Sequence, residues 1–154
     1  MDALTTDDLE RGIVDESAEV RRTAVELSVR FDVVVRHLLD DADVFVAEMT
    51  AWTLGERDEP SDSDIDALIA AVEAHPEPVV REAGAAALGS IGNERGLPAI
   101  LKACADKPAV RRRAVLALAP FSGDDVDAAL DAALTDKDWQ VRQNAEILLS
   151  PRGS

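Results

Sequence analysis

A valine-arginine pair recurs along the chain at intervals near 30 residues, and this repeat limits the possible folds more than any other feature of the sequence. Four copies match closely, and a fifth, degenerate copy begins at Val46 with Ala47 in place of the arginine. The four are Val20-Arg21, Val80-Arg81, Val110-Arg111 and Val141-Arg142, so the five anchor valines are 26, 34, 30 and 31 residues apart. A period near 30 with two helices per unit is typical of an α-solenoid.

The stretch from residue 77 to residue 106 shows the repeating unit most clearly. Two amphipathic helix patterns, over residues 80–91 and 96–105, are separated by a turn over residues 92–95. Apolar or small residues recur at steps of three and four in both: Val80, Gly84, Ala87, Leu88 and Ile91, then Leu97, Ile100, Leu101 and Cys104. Small residues crowd the first helix, so a neighbouring helix can approach it closely. One such pair cannot bury its own apolar face, and it requires copies beside it.

The unit resembles the short HEAT-like repeat of the phycobilin-lyase type, in which a VRxxAAxALGxIG helix precedes a D/N-E-R-A-[VI]-x-P-L-[IL] helix. The matching residues are Val80-Arg81, Ala85, Ala87-Leu88-Gly89, Ile91-Gly92, Asn93-Glu94-Arg95 and Ile100-Leu101. The resemblance covers residues 8 to 149. It implies an all-α fold, a right-handed α-α superhelix of about 4.5 HEAT-like helix pairs. Such solenoids serve as scaffolds, lyases, adaptors and DNA glycosylases, so the repeat predicts the fold more narrowly than the function.

We expect a single domain over residues 1–149, because the chain has apolar material for one core and no room for two ordinary domains. Its repeats are predicted to begin near residues 17, 43, 77, 108 and 138. A capping helix near residues 6–14 precedes them, with Thr5 and Asp8 in capping-box spacing. Residues 33–39 are predicted to form the short second helix of the first repeat. The tail over residues 150–154 resembles the remnant of a cleavable tag and carries no functional argument.

The charge balance narrows the choice of partners. The chain has 16 basic and 31 acidic residues, a net charge of −15, and arginine far outnumbers lysine. Such a surface repels nucleic acid and anionic membranes, so neither is expected as a partner. The composition resembles that of halophilic proteins more than that of proteins from GC-rich bacteria. We expect a cytoplasmic protein, since the sequence has no apolar run of 18 residues and no signal segment at its start.

An arginine follows four of the anchor valines, and an aspartate lies four or five residues before three of them. The arginines are Arg21, Arg81, Arg111 and Arg142, and the aspartates are Asp15, Asp106 and Asp136. This periodicity favours a ladder of Arg–Asp contacts between repeats over a row of anion-binding arginines. Ala47 replaces an arginine and His75 replaces an aspartate, so we expect the ladder to be weakest there.

The sequence indicates no catalytic, metal or cofactor site. His37 and His75 lie in different repeats with no third ligand at helical spacing, and His75 is interpreted as a cation at a helix C-terminus. Cys104 falls on an apolar stripe, which predicts a buried, unreactive thiol. No glycine-rich phosphate loop, serine elbow or Cys-x-x-Cys motif is present. We therefore predict a protein that is not an enzyme and binds no cofactor.

A candidate binding surface lies on the outward positions of the Val-Arg helices, which by resemblance line the concave face of the solenoid. These positions carry Phe45, Met49, Trp52, Arg112, Arg113, Leu116, Trp139 and Gln143. Aromatic residues, methionine and arginine are the types that protein interfaces enrich. The alternative is that Phe45, Met49 and Trp52 turn into the core of the degenerate repeat, and that Trp139 covers the last helix.

We therefore predict a non-catalytic scaffold or adaptor that binds a protein or peptide in the concave groove, with Arg112 and Arg113 orienting an acidic group of the partner. It is expected to be a monomer or a weak homodimer. The resemblance also implies a bilin or chromophore lyase-like subunit, or an accessory factor of a modifying enzyme. A DNA glycosylase is the third alternative, but residues 107–113 form the only basic cluster, and no basic stripe crosses the first three repeats.

Overall fold

The computed structural model describes residues 2–150, which form helices joined by short loops, with no β-strand among them. The α-helices in this range are α1 (Thr6–Gly12), α2 (Ala18–Leu27), α3 (Val44–Glu56), α4 (Asp62–Ala74), α5 (Pro78–Ile91), α6 (Leu97–Ala103), α7 (Pro108–Ala117), α8 (Asp124–Ala133) and α9 (Trp139–Leu149). Three short 3-10 helices cover Ser28–Arg30, Arg36–Asp40 and Glu94–Gly96. Of the predicted tail, residues 151–154 lie outside the described residues.

The helix ends follow from local capping chemistry. The predicted capping box of α1 is confirmed: Thr5 Oγ1 accepts from the Asp8 N–H at 3.2 Å, and the Asp8 carboxylate accepts from the Thr5 N–H at 3.0 Å. Ser61 and Asp64 form a second capping box at the start of α4. Gly92 ends α5 with φ of +68°, a left-handed conformation that favours glycine.

The helices stack in two rows. The helices that carry the anchor positions, α2, α3, α5, α7 and α9, contact one another in succession and form what we call the inner row. α4, α6 and α8 form the outer row, and the 3-10 helix Arg36–Asp40 packs on both α3 and α4 at its start. α1 packs on α2 at the N-terminal end of the inner row. The result is an all-α solenoid of stacked helix pairs.

The anchor valines fix how each inner helix is rotated. Val46, Val80 and Val110 have no exposed surface and Val141 has almost none, so the degenerate second repeat has the same register as the others. Val20 is 43% exposed, because only the short α1 precedes it. The anchor face of an inner helix therefore packs against the preceding repeat.

The prediction of a short helix over residues 33–39 is wrong. Only the 3-10 helix Arg36–Asp40 forms, and residues 32–35 have no helical structure. Val33 and Val35 are buried, whereas Val34 between them is exposed. This alternation, in a run of three β-branched residues, is typical of extended chain.

Glycines let the inner helices approach each other closely. A Cβ atom added to Gly55 would lie 2.8 Å from Cα of Ala87, and one added to Gly89 would lie 2.7 Å from Cα of Ala117. These distances are too short for any side chain, so α3 and α5, and α5 and α7, depend on glycine where they meet. The small residues predicted to permit close packing do so at these two junctions.

The predicted Arg–Asp ladder is confirmed between three pairs of repeats. In the central rung, Arg81 donates from Nε and Nη2 to the two carboxylate oxygens of Asp106, at 2.8 and 3.0 Å. Its Nη1 donates to the carbonyl oxygens of His75 and Pro76, in the loop before its own helix. Each arginine thus binds the next repeat with one edge and its own loop with the other. The remaining rungs are Arg21–Asp41 and Arg111–Asp136.

One member of the ladder differs from the prediction. The first rung uses the carboxylate of Asp41, whereas Asp15 offers Arg21 only its backbone carbonyl, at 2.9 Å. The reason is the direction of pairing, since each carboxylate meets the arginine of the preceding repeat and Asp15 lies before the first of them. Hydrogen bonds from these guanidinium groups hold the pKa of Asp41, Asp106 and Asp136 below the ordinary value of 3.8.

The two interruptions of the motif fall on a single rung. An arginine in place of Ala47 would face an aspartate in place of His75, so both halves of this rung are missing together. His75 Nδ1 accepts from the Glu77 N–H at 3.0 Å, as the Asp41 carboxylate does from the Asp43 N–H. His75 therefore caps the loop as an aspartate does in the other repeats, but among the described residues it forms no ion pair with an arginine. His75 is the C-cap residue of α4, and its role as a cation at this helix end stays a prediction.

Candidate functional site

A continuous groove runs along the inner row, which we call the inner groove. It consists of two adjoining cavities of about 310 and 270 Å³ that share Arg113 and Leu116 as lining residues. The first cavity extends over α3 and α5 to Trp52, Ala86 and Ser90, and the second extends to α9. Residues from four successive inner helices therefore line one surface.

The depth of the inner groove follows from side-chain size. Ala86, Gly89 and Ala109 supply its lining on α5 and α7, and such small side chains leave the backbone close to solvent. Leu116 stands beside them on α7, 38% exposed, and Trp52 is half-buried on α3. An exposed leucine and an aromatic ring beside small residues provide an apolar surface that a partner's side chain can cover.

Arg113 links three helices across the inner groove. Its guanidinium carbon lies 5.5 Å from the centroid of the Trp52 ring, in cation–π geometry. Its Nε lies 3.5 Å from Oε1 of Glu82 on α5. Arg113 therefore orients the Trp52 ring and already has a carboxylate neighbour. The contact with Glu82 is long, which leaves this guanidinium able to donate hydrogen bonds to a second carboxylate.

Arg112 is held more firmly. It donates from Nε and Nη2 to the two oxygens of Asp138, at 3.0 and 2.5 Å, and this pairing lowers the pKa of the Asp138 carboxyl well below its ordinary value. Asp138 also caps α9, accepting from the N–H groups of Gln140 and Val141. The Asn144 side chain donates to the Arg112 carbonyl at 3.0 Å. These bonds join α7 to α9, so Arg112 serves as a structural link along the groove wall.

The eight predicted site residues fall into two sets. Five of them line the inner groove, namely Trp52, Arg112, Arg113, Leu116 and Gln143. Three do not: Phe45 is exposed beside a separate cavity of about 190 Å³ between α2 and α3, Met49 is half-buried, and Trp139 is exposed in the first turn of α9. The alternative prediction was that Phe45, Met49 and Trp52 turn into the core. Met49 and Trp52 do so in part, since both pack against core residues, whereas Phe45 is exposed.

The sequence analysis missed several groove residues, among them Glu82 and Ala86. Glu82 and Ala86 lie two and six positions after Val80, which are the outward positions used to select residues in the other repeats. Their positions in the repeat could have identified them, but the sequence analysis favoured aromatic and arginine residues, and the third repeat has none at these outward positions. The pairing of Asp138 with Arg112 was also missed, because it depends on the distance between two repeats.

Cys104 packs against the core but is only partly buried, whereas its position on an apolar stripe predicted a buried thiol. Burial raises the pKa of its thiol to about 11, from an ordinary value of 9.0. At pH 8 the folded protein should therefore contain roughly 100-fold less thiolate than the unfolded chain. We expect a thiol reagent such as DTNB to react at least that much more slowly with native protein than with protein in guanidinium chloride. Similar rates in the two states would contradict this prediction.

No other chemistry is evident in the part of the chain that the structure describes. Within residues 2–150, no group of three or more His, Cys, Asp and Glu side chains is placed to hold a metal ion. None of the helices in the same range is long and apolar enough to cross a membrane.

Comparison with known proteins agrees with this architecture. A family model for HEAT repeats matches residues 65–150, more than half of the chain. The chain therefore belongs to the HEAT-repeat family. Among solved structures it is similar to the designed armadillo repeat protein YIII(Dq)4CqI, with a TM-score of 0.61 and 18% sequence identity over 94% of this chain and 80% of that one. A search of curated protein sequences found no significant match.

Proposed function

We propose that this protein is a non-catalytic scaffold that binds a protein or peptide segment in the inner groove. The observation that carries the proposal is the continuity of the groove across α3, α5, α7 and α9, with Trp52 and Leu116 as its apolar contacts. Helices in such stacks lie about 8–10 Å apart, so the groove spans about 25–30 Å. An extended segment of about eight residues would cover it.

The chemistry of the groove favours a segment with one apolar and one acidic side chain. The apolar side chain would pack between Leu116 and the Trp52 ring, over the small residues of α5. The acidic group would join Glu82 at Arg113, because the 3.5 Å contact between them leaves donors of that guanidinium available. Arg112 is a weaker candidate for this role, since Asp138 already engages it through two hydrogen bonds.

Neutralisation of the two arginines also counts against a nucleic acid as the occupant. Asp138 and Glu82 place negative charge directly beside Arg112 and Arg113, and the chain carries a net charge of −15. A phosphate backbone would meet this charge at every step along the groove. A peptide can form hydrogen bonds with the exposed Gln143 and the neighbouring amide side chains without this electrostatic repulsion.

Leu116 provides the test. Linear peptides selected from a phage-displayed library against the wild-type protein should bind the Leu116→Glu variant at least tenfold more weakly. The matched control is Leu134→Glu, because Leu134 is almost equally exposed, 36% against 38%, and lies just after α8 in the outer row. Fluorescence anisotropy measures the affinities, and circular dichroism shows whether each variant is folded. Peptides that bind both variants equally, or a selection that yields no binders, would overturn the proposal.

Tryptophan fluorescence gives an independent readout of the same site. The chain has only two tryptophans, so a Trp139→Phe variant reports on Trp52 alone. A peptide in the inner groove should shift the emission of this ring, because it displaces water from the exposed part of the indole.

A further inference from the structure

The Arg–Asp ladder ends in an arginine that is positioned like the others. Arg142 donates from Nη1 to the carbonyl oxygens of Asp136 and Lys137, at 2.7 and 3.1 Å, as Arg81 does to His75 and Pro76. In the other rungs, Nε and Nη2 then bind the carboxylate of the next repeat. Among residues 2–150, no carboxylate contacts these two nitrogens of Arg142. Its carboxylate-binding edge is fixed in place and open.

The ladder begins with a carboxylate that is positioned like the others. Asp15 precedes Val20 by five residues, as Asp136 precedes Val141. Its Oδ1 accepts from the Ser17 N–H at 2.8 Å, and the Asp136 Oδ1 accepts from the Asp138 N–H at the same distance. Asp136 also binds Arg111, whereas no arginine side chain in the described range contacts the Asp15 carboxylate. The two ends of the solenoid therefore carry the two halves of one rung.

Exposed apolar surface accompanies each half. At the N-terminal end, Leu4, Val20 and Leu27 are exposed and line a cavity of about 320 Å³ between α1 and α2. At the C-terminal end, Trp139 and Leu149 are exposed on α9. Trp139 precedes Arg142 by three residues, so the two lie on the same side of the helix. We call these surfaces the N-terminal and C-terminal end faces.

We propose that the C-terminal end face of one copy binds the N-terminal end face of a second copy of this chain. Arg142 of one copy would bind Asp15 of the other as Arg111 binds Asp136 within the chain, and Trp139 would enter the cavity beside Val20. The occupant is a second copy because the complementary charge and the complementary apolar surface are both present on this chain, and because the contact continues an interface already formed between its repeats. Such a contact is head-to-tail and joins further copies in a row.

The expected association is weak. Glu146 lies on the C-terminal end face one turn after Arg142 and is exposed, where the equivalent residues of earlier repeats, Ala51, Ala85 and Val115, are buried. Two copies also repel each other through a net charge of −15 each. Added salt screens this long-range repulsion more than it weakens a close, partly buried ion pair. We therefore expect self-association to increase at high protein concentration and at molar salt.

Sedimentation velocity on the full chain over a range of concentrations, at low and at molar salt, tests the proposal. Wild-type protein should show an average mass that rises with concentration above 16.5 kDa. Arg142→Asp and Asp15→Arg should each weaken self-association at least tenfold, because each variant carries like charges on both end faces. An equal mixture of the two should associate again, since each contact between a copy of one variant and a copy of the other pairs Arg with Asp. Arg30→Asp, an exposed position with the same change of charge, is the matched control.

Three results would overturn the proposal. They are a wild-type protein that stays monomeric throughout, an association that Arg142→Asp weakens no more than Arg30→Asp, and a mixture that fails to associate. Loss of association in Leu116→Glu alone would instead place the contact in the inner groove, which also overturns it. Asp15→Arg keeps the test valid if Arg142→Asp does not fold, because the Asp15 side chain is exposed and only caps a loop. The outcome is independent of peptide binding.

Discussion

Replacing Arg81 with alanine is expected to lower the free energy of unfolding by about 2–3 kcal/mol. The change removes four hydrogen bonds, two to Asp106 and two to the carbonyl oxygens of His75 and Pro76. The side chains of Arg81 and Asp106 are only 13% and 18% exposed, so water cannot fully replace the lost partners. Urea denaturation at pH 7, followed by circular dichroism, measures the difference.

Arg95→Ala is the matched control for this rung. Arg95 makes an ion pair with Asp66 of the same two-bond geometry, at 2.7 and 2.9 Å. These side chains are 47% and 55% exposed, and the Arg95 guanidinium has no hydrogen bond to a backbone carbonyl within the described residues. We expect Arg95→Ala to lose only a small fraction of the stability that Arg81→Ala loses. Equal losses in the two variants would show that burial and loop contacts contribute nothing to the ladder.

The effect of Arg81→Ala should depend on pH in one direction. Arg81 lowers the pKa of Asp106 in the folded state below the ordinary value of 3.8. The pair therefore stabilises the fold fully above that value and loses its contribution as the pH falls through the lowered folded pKa. The difference between wild type and Arg81→Ala should be largest near neutral pH and should shrink on acidification below about 3.8. A difference that is constant down to strongly acidic pH would contradict this explanation.

Gly89→Val is expected to destabilise the fold by about 3 kcal/mol. The new Cβ would lie 2.7 Å from both Cα and Cβ of Ala117 and 3.1 Å from its carbonyl oxygen. Backbone atoms cannot move aside as a flexible side chain can, so α5 and α7 must separate. This separation would also weaken the neighbouring contacts of the inner row, between α3 and α5 and between α7 and α9.

The control for this variant is Ser90→Val, one residue further along α5. It introduces the same side chain into the same helix, but Ser90 is exposed. Helix propensity predicts a small loss for this variant and a small gain for Gly89→Val, because glycine is among the poorest helix formers. A greater loss at Gly89 than at Ser90, measured by thermal or urea denaturation, therefore reports on crowding between helices. If Gly89→Val is as stable as Ser90→Val, the helices are free to move apart.

The sequence predicts most of this fold because the repeat supplies five copies of the same information. The sequence alone left the register of the second repeat open, and the burial of Val46 in the structure decides it. Residues 33–39 have no equivalent constraint, since the first repeat departs from the family pattern there and a valine run can be helical or extended. The alternation of burial that decides between the two arises from tertiary packing, which a local sequence pattern does not contain.

Prediction of the candidate site was less complete for a different reason. Residue types and helix rotation identified Trp52, Arg113 and Leu116, because outward positions follow from the anchor. The partners of the arginines could not be read from one repeat, since Glu82 and Asp138 belong to neighbouring helices. Whether a charged side chain faces solvent or pairs with another repeat depends on the distance between the two repeats, and a sequence pattern does not contain that distance.

The missing rung at Ala47 and His75 leaves one junction between repeats without the ion pair that the other junctions have. The segment before it, ending with α3, meets the segment after it without an Arg–Asp rung, although Gly55 and Ala87 lie close together and Arg113 reaches from α7 to Trp52 on α3. Trp52 belongs to the first segment, whereas Leu116 and Gln143 belong to the second. A ligand in the inner groove would therefore contact both sides of the joint that lacks an Arg–Asp rung. Bending at that joint would change the width of the groove, and occupancy of the groove would stiffen the joint in return.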